Sequence, residues 1–245
     1  MINNPPKLND FNSYPILFSN KILNKNFYTE LKLNWPLFSQ FSTTSAGQVA
    51  RNNLELKFNN QNYKKIHPSF QKLYDEFNSV DFRNYLKTQF DFDELKNTQG
   101  YIGDFDSADL VMHVAESTSG YENPWHVDTR NRIIHFLIYF GDDTIEKGGE
   151  LAIASHAQLN SNLDYKRYPN LQYIYSVKYI NPIDNTGVFI LSQNNSYHKG
   201  CALTGLRRFI YAGYTNKNGP AWKTGSDWSG ISGFSERLKY EKLQI

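Results

Sequence analysis

Apolar residues recur at helical spacing through the first hundred positions and at strand spacing after that. Asn24 is a candidate N-cap, followed by Phe27, Tyr28 and Leu31 on one helical face. A second helix begins near Pro68, a residue suited to a first turn, and stacks Phe70, Leu73, Tyr74 and Phe77. A third follows Ser79 with Phe82, Tyr85, Leu86 and Phe90. A strand-like stretch, Ser13 to Phe18, precedes the first helix. From about Asp109 the pattern predicts strands over Leu110 to Ala115, Arg132 to Phe140, Glu150 to Ala154, Leu171 to Ile180, Gly187 to Leu191 and Arg207 to Tyr214. Turn signals such as Asp184-Asn185-Thr186-Gly187 separate them. Many short strands at close spacing predict an antiparallel sandwich or barrel, and the amphipathic helices need such a partner to cover. The fold class expected is mainly β with flanking helices.

No Gly-, Ser- or Pro-rich linker divides the 245 residues, so a single domain is expected: an N-terminal layer over 1–106, a β core over 107–214 and a tail over 215–245. The tail turns charged and helical from Ser235, and it either packs back on the sheet or acts as a lid. Hydrophobic residues make up 40% and aromatic residues 16%, enough for a substantial core, which excludes disordered and fibrous classes. With 26 Lys and Arg against 24 Asp and Glu there is no basic block to track phosphates, so no nucleic-acid partner is expected. The longest apolar run, Ile133 to Phe140, is broken by His135 and is too short to span a bilayer. One cysteine, Cys201, and an N-terminus without a secretory signature point to a reduced, cytoplasmic setting. Nothing in the pattern reports on oligomeric state.

Three features of the β region carry chemistry. In Trp125-His126-Val127-Asp128 an imidazole and a carboxylate stand two residues apart at a strand end, where side chains at i and i+2 share a face and can touch one ion. His198 follows the strand Val188 to Leu191 and a polar bend; two imidazoles and one carboxylate on one face are the facial triad of non-haem Fe(II) oxygenases. Arg207-Arg208 then opens another strand, and a guanidinium buried in a barrel mouth calls for a carboxylate partner such as that of a keto acid. Strand phase favours Arg208: with Arg208 inward, Ile210 and Ala212 leave room for a small diacid, whereas Arg207 inward brings bulky Phe209 and Tyr211. The same alternation puts His135, Leu137 and Tyr139 on one face.

Taken in order, His126-Val127-Asp128, the strand Arg132 to Tyr139, Gly148-Gly149-Glu150-Leu151, Ser196-Tyr197-His198 and Arg207-Arg208-Phe209 resemble the 2-oxoglutarate- and Fe(II)-dependent oxygenases of the double-stranded β-helix (jelly-roll) fold, in the branch that looks like prolyl hydroxylases. The resemblance covers about Ser107 to Tyr214. It implies that His126, Asp128 and His198 ligate iron and that Tyr139 and Arg208 hold the distal carboxylate of the cosubstrate; the strand alternation then makes His135 either a supporting donor near the cosubstrate or a plain buried histidine. Gly148-Gly149 is expected to be structural, a positive-φ turn before a closely packed strand. The implied cofactors are Fe(II), 2-oxoglutarate and O2, with ascorbate as a candidate auxiliary reductant.

The implied reaction hydroxylates a C–H bond and releases succinate and CO2. Asp128 favours hydroxylation or desaturation over halogenation, because related halogenases carry a small residue there. Candidate substrate contacts are Tyr121, Asn123, Trp125, Trp222 and Trp228. A small molecule or sugar-containing metabolite is the expected substrate, with an amino-acid side chain, free or in a protein, as the alternative. A jelly-roll binding module without turnover and a Zn2+ hydrolase are the rival classes.

Overall fold

The helical layer starts where side chains can take over orphaned backbone donors. Asn24 Oδ1 accepts from the Phe27 amide at 2.8 Å and starts α1 (Lys25–Leu33). Asn60 caps α2 (Gln61–Lys65), Pro68 sits in the first turn of α3 (Pro68–Asn78), and Ser79 ends α3 and caps α4 (Val80–Gln89); α5 (Phe92–Gln99) follows. Phe70, Leu73, Tyr74 and Phe77 form the buried stripe of α3 that the spacing predicts. The computed structural model describes residues 1–9, 14–43, 50–99, 104–129, 131–156, 168–169, 171–193 and 195–216. Trp222, Trp228 and the tail from 217 onward lie outside the described residues.

The strands are β1 (Lys7–Asn9), β2 (Ile16–Ser19), β3 (Ser42–Thr43), β4 (Arg51–Leu56), β5 (Asp109–Thr118), β6 (Asn123–His126), β7 (Arg132–Phe140), β8 (Ile145–Gly148), β9 (Leu151–His156), β10 (Ile174–Ile180), β11 (Gly187–Leu191), β12 (His198–Gly200) and β13 (Leu203–Thr215). Leu171–Tyr173, expected as the start of a strand, forms a 3-10 turn that leads into β10. Among the described residues the strands make two antiparallel sheets: β1-β2-β11-β7-β13-β5-β4-β3, with β8 on β13, and β10-β9-β12-β6. From β5 onward the chain passes back and forth between the sheets: β5 and β7 in the larger, β6 between them in the smaller, then β9 and β10, β11, β12 and β13. That is jelly-roll topology. The N-terminal part does more than cover the core with helices, because β1 to β4 extend the larger sheet on both sides.

The larger sheet is buried on both faces. One face packs on the helices, where Phe77, Phe136 and Phe189 make ring contacts with centroids 4.9 Å (Phe77–Phe136) and 4.5 Å (Phe136–Phe189) apart. Each such ring stabilises the fold by about 1.5–3 kcal/mol through burial alone. The other face, with Ala115, Leu137, Tyr139, Val188, Ile190 and Phe209, closes on Leu151, Ile153 and Ile180 and encloses the jelly-roll interior.

Candidate active site

His126 ends β6 and His198 begins β12, and the two are directly paired in antiparallel register. Their ring centroids stand 4.3 Å apart. Asp128 follows two residues after His126, and one ligand atom from each of the three lies within 4.8 Å of the others, all buried. Both rings are oriented through the backbone. His126 Nδ1 donates to the Pro124 carbonyl at 2.8 Å and His198 Nδ1 to the Ser196 carbonyl at 2.9 Å. A carbonyl can only accept, so the proton sits on Nδ1 and the Nε2 lone pair is the one offered; His126 Nε2 accepts from Asn123 Nδ2 at 3.2 Å. Two neutral imidazoles and a carboxylate converging in this way fit a divalent first-row metal such as Fe(II).

The charges around the trio favour that state. Burial alone raises the Asp128 carboxyl, but His135, Arg132 and His198 beside it hold it well below the usual carboxylate range. Burial, with His126 and His135 alongside, pushes His198 well below the usual imidazole range and keeps it neutral. His135 is fully buried, and its Nδ1 lies 2.8 Å from Asp128 Oδ2 and 3.2 Å from Ser192 Oγ. Its ring stands 4.7 Å from that of His198, and its Nε2 is buried without a hydrogen-bond partner. Arg132 Nη1 reaches the same Asp128 oxygen at 3.2 Å, and the Tyr211 hydroxyl lies at 3.5 Å.

The arginine pair corrects the expected phase. Arg208 faces the helical layer, where its Nε donates to Glu116 Oε1 at 3.0 Å beside Trp35, and Ile210, Ala212 and Tyr214 follow it into the helix-facing core. Arg207 is the inward residue, 2% exposed, with Phe209 and Tyr211 lining the interior after it. The hydrophobic pattern could not decide this, because both faces of β13 are buried and Glu116, the partner that draws Arg208 outward, comes from β5.

Arg207 Nη1 donates to the Gly149 carbonyl, and its guanidinium lies 4.9 Å from the Tyr121 ring and 4.8 Å from the Phe209 ring. Among the described residues it forms no ion pair, and its Nε, the Tyr139 hydroxyl and the Ser117 hydroxyl are buried without hydrogen-bond partners. Burial pushes the Tyr139 phenol up to about 12 against the pull of Arg207, so it stays a donor. An unpaired buried guanidinium beside an unpaired phenol is costly unless an anion completes it, and a small diacid fits that requirement.

Gly148 and Gly149 have φ of +75° and +79°. A Cβ at Gly148 would meet the Ala202 carbonyl oxygen at 1.9 Å, and one at Gly149 would crowd Leu203 and the Arg207 stem.

Of the expected substrate contacts, Tyr121 is buried beneath Arg207, Asn123 touches His126, and Trp125 is partly buried against the helix-facing core. Arg51 on β4 escaped notice in the sequence. It is buried, lies opposite Ser117 in register, and places its guanidinium 5.0 Å from the Phe209 ring and 5.1 Å from the Tyr211 ring. The available signal was the alternation of Leu54 and Leu56, which turns Arg51, Asn53 and Glu55 to the opposite face.

Residues 112–216, a little under half of the chain, match the family model described as the 2OG-Fe(II) oxygenase superfamily. Among solved structures the chain is similar to a Pseudomonas putida prolyl-4-hydroxylase, at 11% identity over 85% of this chain and 96% of that one, with a TM-score of 0.48. It is also similar to a Phytophthora capsici prolyl 4-hydroxylase, at 15% identity over 91% and 68%, TM-score 0.49. HygX from Streptomyces hygroscopicus, with nickel and 2-oxoglutarate bound, shows 10% identity over 87% of each chain and a TM-score of 0.47. No curated protein matches the sequence.

Proposed function

We propose that this protein, whose residues 112–216 match the family model described as the 2OG-Fe(II) oxygenase superfamily, is an oxidoreductase that uses Fe(II), 2-oxoglutarate and O2 to hydroxylate an unactivated C–H bond of a small molecule. The observation that carries the site assignment is the buried pair Arg207 and Tyr139, with unsatisfied donors, in the same interior as the His126, Asp128 and His198 trio.

His126, Asp128 and His198 are the residues that would hold the iron, with the two imidazoles offering Nε2 because their Nδ1 protons are spent on backbone carbonyls. His135 and Arg132 fix the Asp128 carboxylate from its other side. Arg207 and Tyr139 would hold the distal carboxylate of 2-oxoglutarate; the sequence pointed to Arg208 for this role, and the burial of Arg207 in the interior supports Arg207 in its place. Fe(II) held there, with 2-oxoglutarate as the two-electron co-reductant, would supply O2-dependent hydroxylation of a C–H bond, with succinate and CO2 as the co-products. Leu137, Val188, Ile190 and Leu151 keep water from the anchored end of the chamber. A zinc hydrolase would accept the same three ligands, but it would leave Arg207 and Tyr139 without a purpose.

Anaerobic addition of Fe(II) and 2-oxoglutarate tests this reading. The weak visible band of an Fe(II)–keto acid chelate is expected, with the band lost in His126→Ala. Iron and 2-oxoglutarate both bound without the band would overturn it. Comparing metabolites with peptides for stimulated succinate release then identifies the substrate type.

A further inference from the structure

The buried arginines of this protein are held in different ways. Arg208 spends its Nε on Glu116, and Arg83 gives its donors to the Phe105 and Ala108 carbonyls and to Asn78 Oδ1. Arg207 donates to the Gly149 carbonyl and otherwise, among the described residues, rests on ring faces: its guanidinium carbon lies 4.9 Å from the Tyr121 centroid and 4.8 Å from that of Phe209. Its Nε is buried without a hydrogen-bond partner. A ring attracts a guanidinium through its π electrons and takes none of its N–H groups, whereas carboxylates and carbonyls take them one by one. Rings therefore hold the charge in place and leave the fork to a ligand. Stacking alone implies no ligand, because Arg83 also lies over two rings; what sets Arg207 apart is the donor left over.

Phe209 follows Arg207 by two residues on β13 and shares its face. Tyr121 comes from the connection between β5 and β6, and that connection is fastened. Its amide donates to the Thr118 carbonyl at 3.0 Å, and its carbonyl accepts from the Leu203 amide at 3.0 Å. The side chain is 3% exposed, and its hydroxyl accepts a hydrogen bond from the Arg51 guanidinium. Gly200 on β12 makes room for the ring: a Cβ there would stand 3.1 Å from both Tyr121 Cε1 and the hydroxyl oxygen. Gly200 lies two residues after His198, and Tyr121 five residues before His126. The ring is thus built in beside the strands that carry two of the metal ligands, and it rests on the arginine at the anchored end of the chamber.

We infer that Tyr121, which the sequence marked as a substrate contact, is instead a positioning residue for the cosubstrate: its ring fixes the Arg207 guanidinium so that the unspent donors of the fork meet the distal carboxylate of 2-oxoglutarate. The inference rests on the oxygenase reading and deepens it. Tyr121 acts through Arg207. A long side chain that is ordered before its ligand arrives loses less freedom on binding. The ring also offsets part of the cost of keeping a guanidinium buried without a counter-ion until the diacid is bound. The effect is confined to keto acids with a distal charge, since a keto acid without one gives Arg207 nothing to hold.

The test uses protein loaded anaerobically with stoichiometric Fe(II). The chelate band with 2-oxoglutarate is read first in the wild type, and its absence overturns the oxygenase reading itself. The band is then titrated with 2-oxoglutarate and with 2-oxopentanoate, which has the same chain length and a methyl group in place of the distal carboxylate. The quantity followed is the ratio of the two affinities. Tyr121→Leu should weaken 2-oxoglutarate about three- to thirtyfold and lower the ratio by the same factor, with 2-oxopentanoate little changed. Tyr121→Phe, which keeps the ring and loses the hydroxyl, should restore the wild-type ratio. In an Arg207→Gln background Tyr121→Leu should lower the ratio no further, because the two residues act as one unit. Gly200→Ala, which presses a methyl group on the ring from β12, should lower the ratio too and is read in place of Tyr121→Leu if that variant fails to fold. An unchanged ratio, whether both keto acids are weakened equally or neither is, overturns the inference with the oxygenase reading intact. So does a ratio as low in Tyr121→Phe as in Tyr121→Leu, because the hydroxyl and not the ring would then be the operative group.

Discussion

Arg207 and Arg208 are adjacent in the chain and serve opposite faces of β13. Arg207 is 2% exposed in the jelly-roll interior, on the Gly149 carbonyl and the Tyr121 ring, while Arg208 pairs with Glu116 on the helix side at 3.0 Å. Glu116 Oε1 also accepts from Trp35 Nε1 at 3.0 Å, so Arg208 helps fasten the segment after α1 to the sheet.

The two arginines should therefore separate by phenotype. Arg207→Gln is expected to weaken 2-oxoglutarate binding by about ten- to a hundredfold, the worth of a charge-assisted pair. Arg208→Gln should leave that affinity close to wild type and lower unfolding stability by about 1–3 kcal/mol, because it strips a buried carboxylate of its cation. Calorimetric 2-oxoglutarate titration and urea unfolding of both variants check this, and the reverse pattern would return the anchor to Arg208.

His135 touches Asp128 at 2.8 Å and stacks near His198 without being one of the three converging ligands. Its expected effect is on orientation: His135→Phe should keep the three ligands and lower iron affinity about ten- to a hundredfold. Competition against a chromophoric chelator measures this directly. Affinity equal to wild type would mean that Asp128 is held well enough by Arg132 alone.

His113 gives the fold an acid-side sensitivity. Burial, together with Arg51, Arg132 and Lys57, lowers its imidazole from 6.5 to about 3, and its Nδ1 is buried without a partner. The unfolded chain therefore binds a proton that the folded chain refuses. Stability is intact above pH 6.5 and falls as pH drops toward 3, by at most about 1.4 kcal/mol per pH unit from this group. Urea midpoints between pH 7 and 4 should fall less steeply in His113→Gln than in wild type; parallel slopes would remove His113 from the account.

Gly148 cannot carry a side chain where it is. Its φ of +75° and the 1.9 Å approach to the Ala202 carbonyl together should make Gly148→Ala lower Tm by about 5–10 °C. Gly120→Ala, with φ of +87° but nothing within 4 Å of the added Cβ, is the control for backbone strain alone and should cost less. Thermal melts of the two variants make the comparison.

Local chemistry in the sequence determined the elements and the reactive groups of this protein. Asn24, Pro68 and Ser79 start helices because their capping and φ preferences act within a single turn. The run Arg132 to Phe140 is a strand end to end, and its alternation put His135, Leu137 and Tyr139 on the interior face. His126 and Asp128 were legible as a pair because an extended chain brings i and i+2 together.

What only the tertiary structure decided are the relations between strands and the phase of strands buried twice. His198 meets His126 because β12 pairs with β6 in that register. Arg207 rather than Arg208 turns inward because Glu116 on β5 and the helix-side core claim Arg208, Ile210 and Ala212, and an apolar pattern that is buried on both faces carries no mark of which face is which. Arg51 enters the chamber through the pairing of β4 with β5, a contact between segments some sixty residues apart that no local pattern encodes.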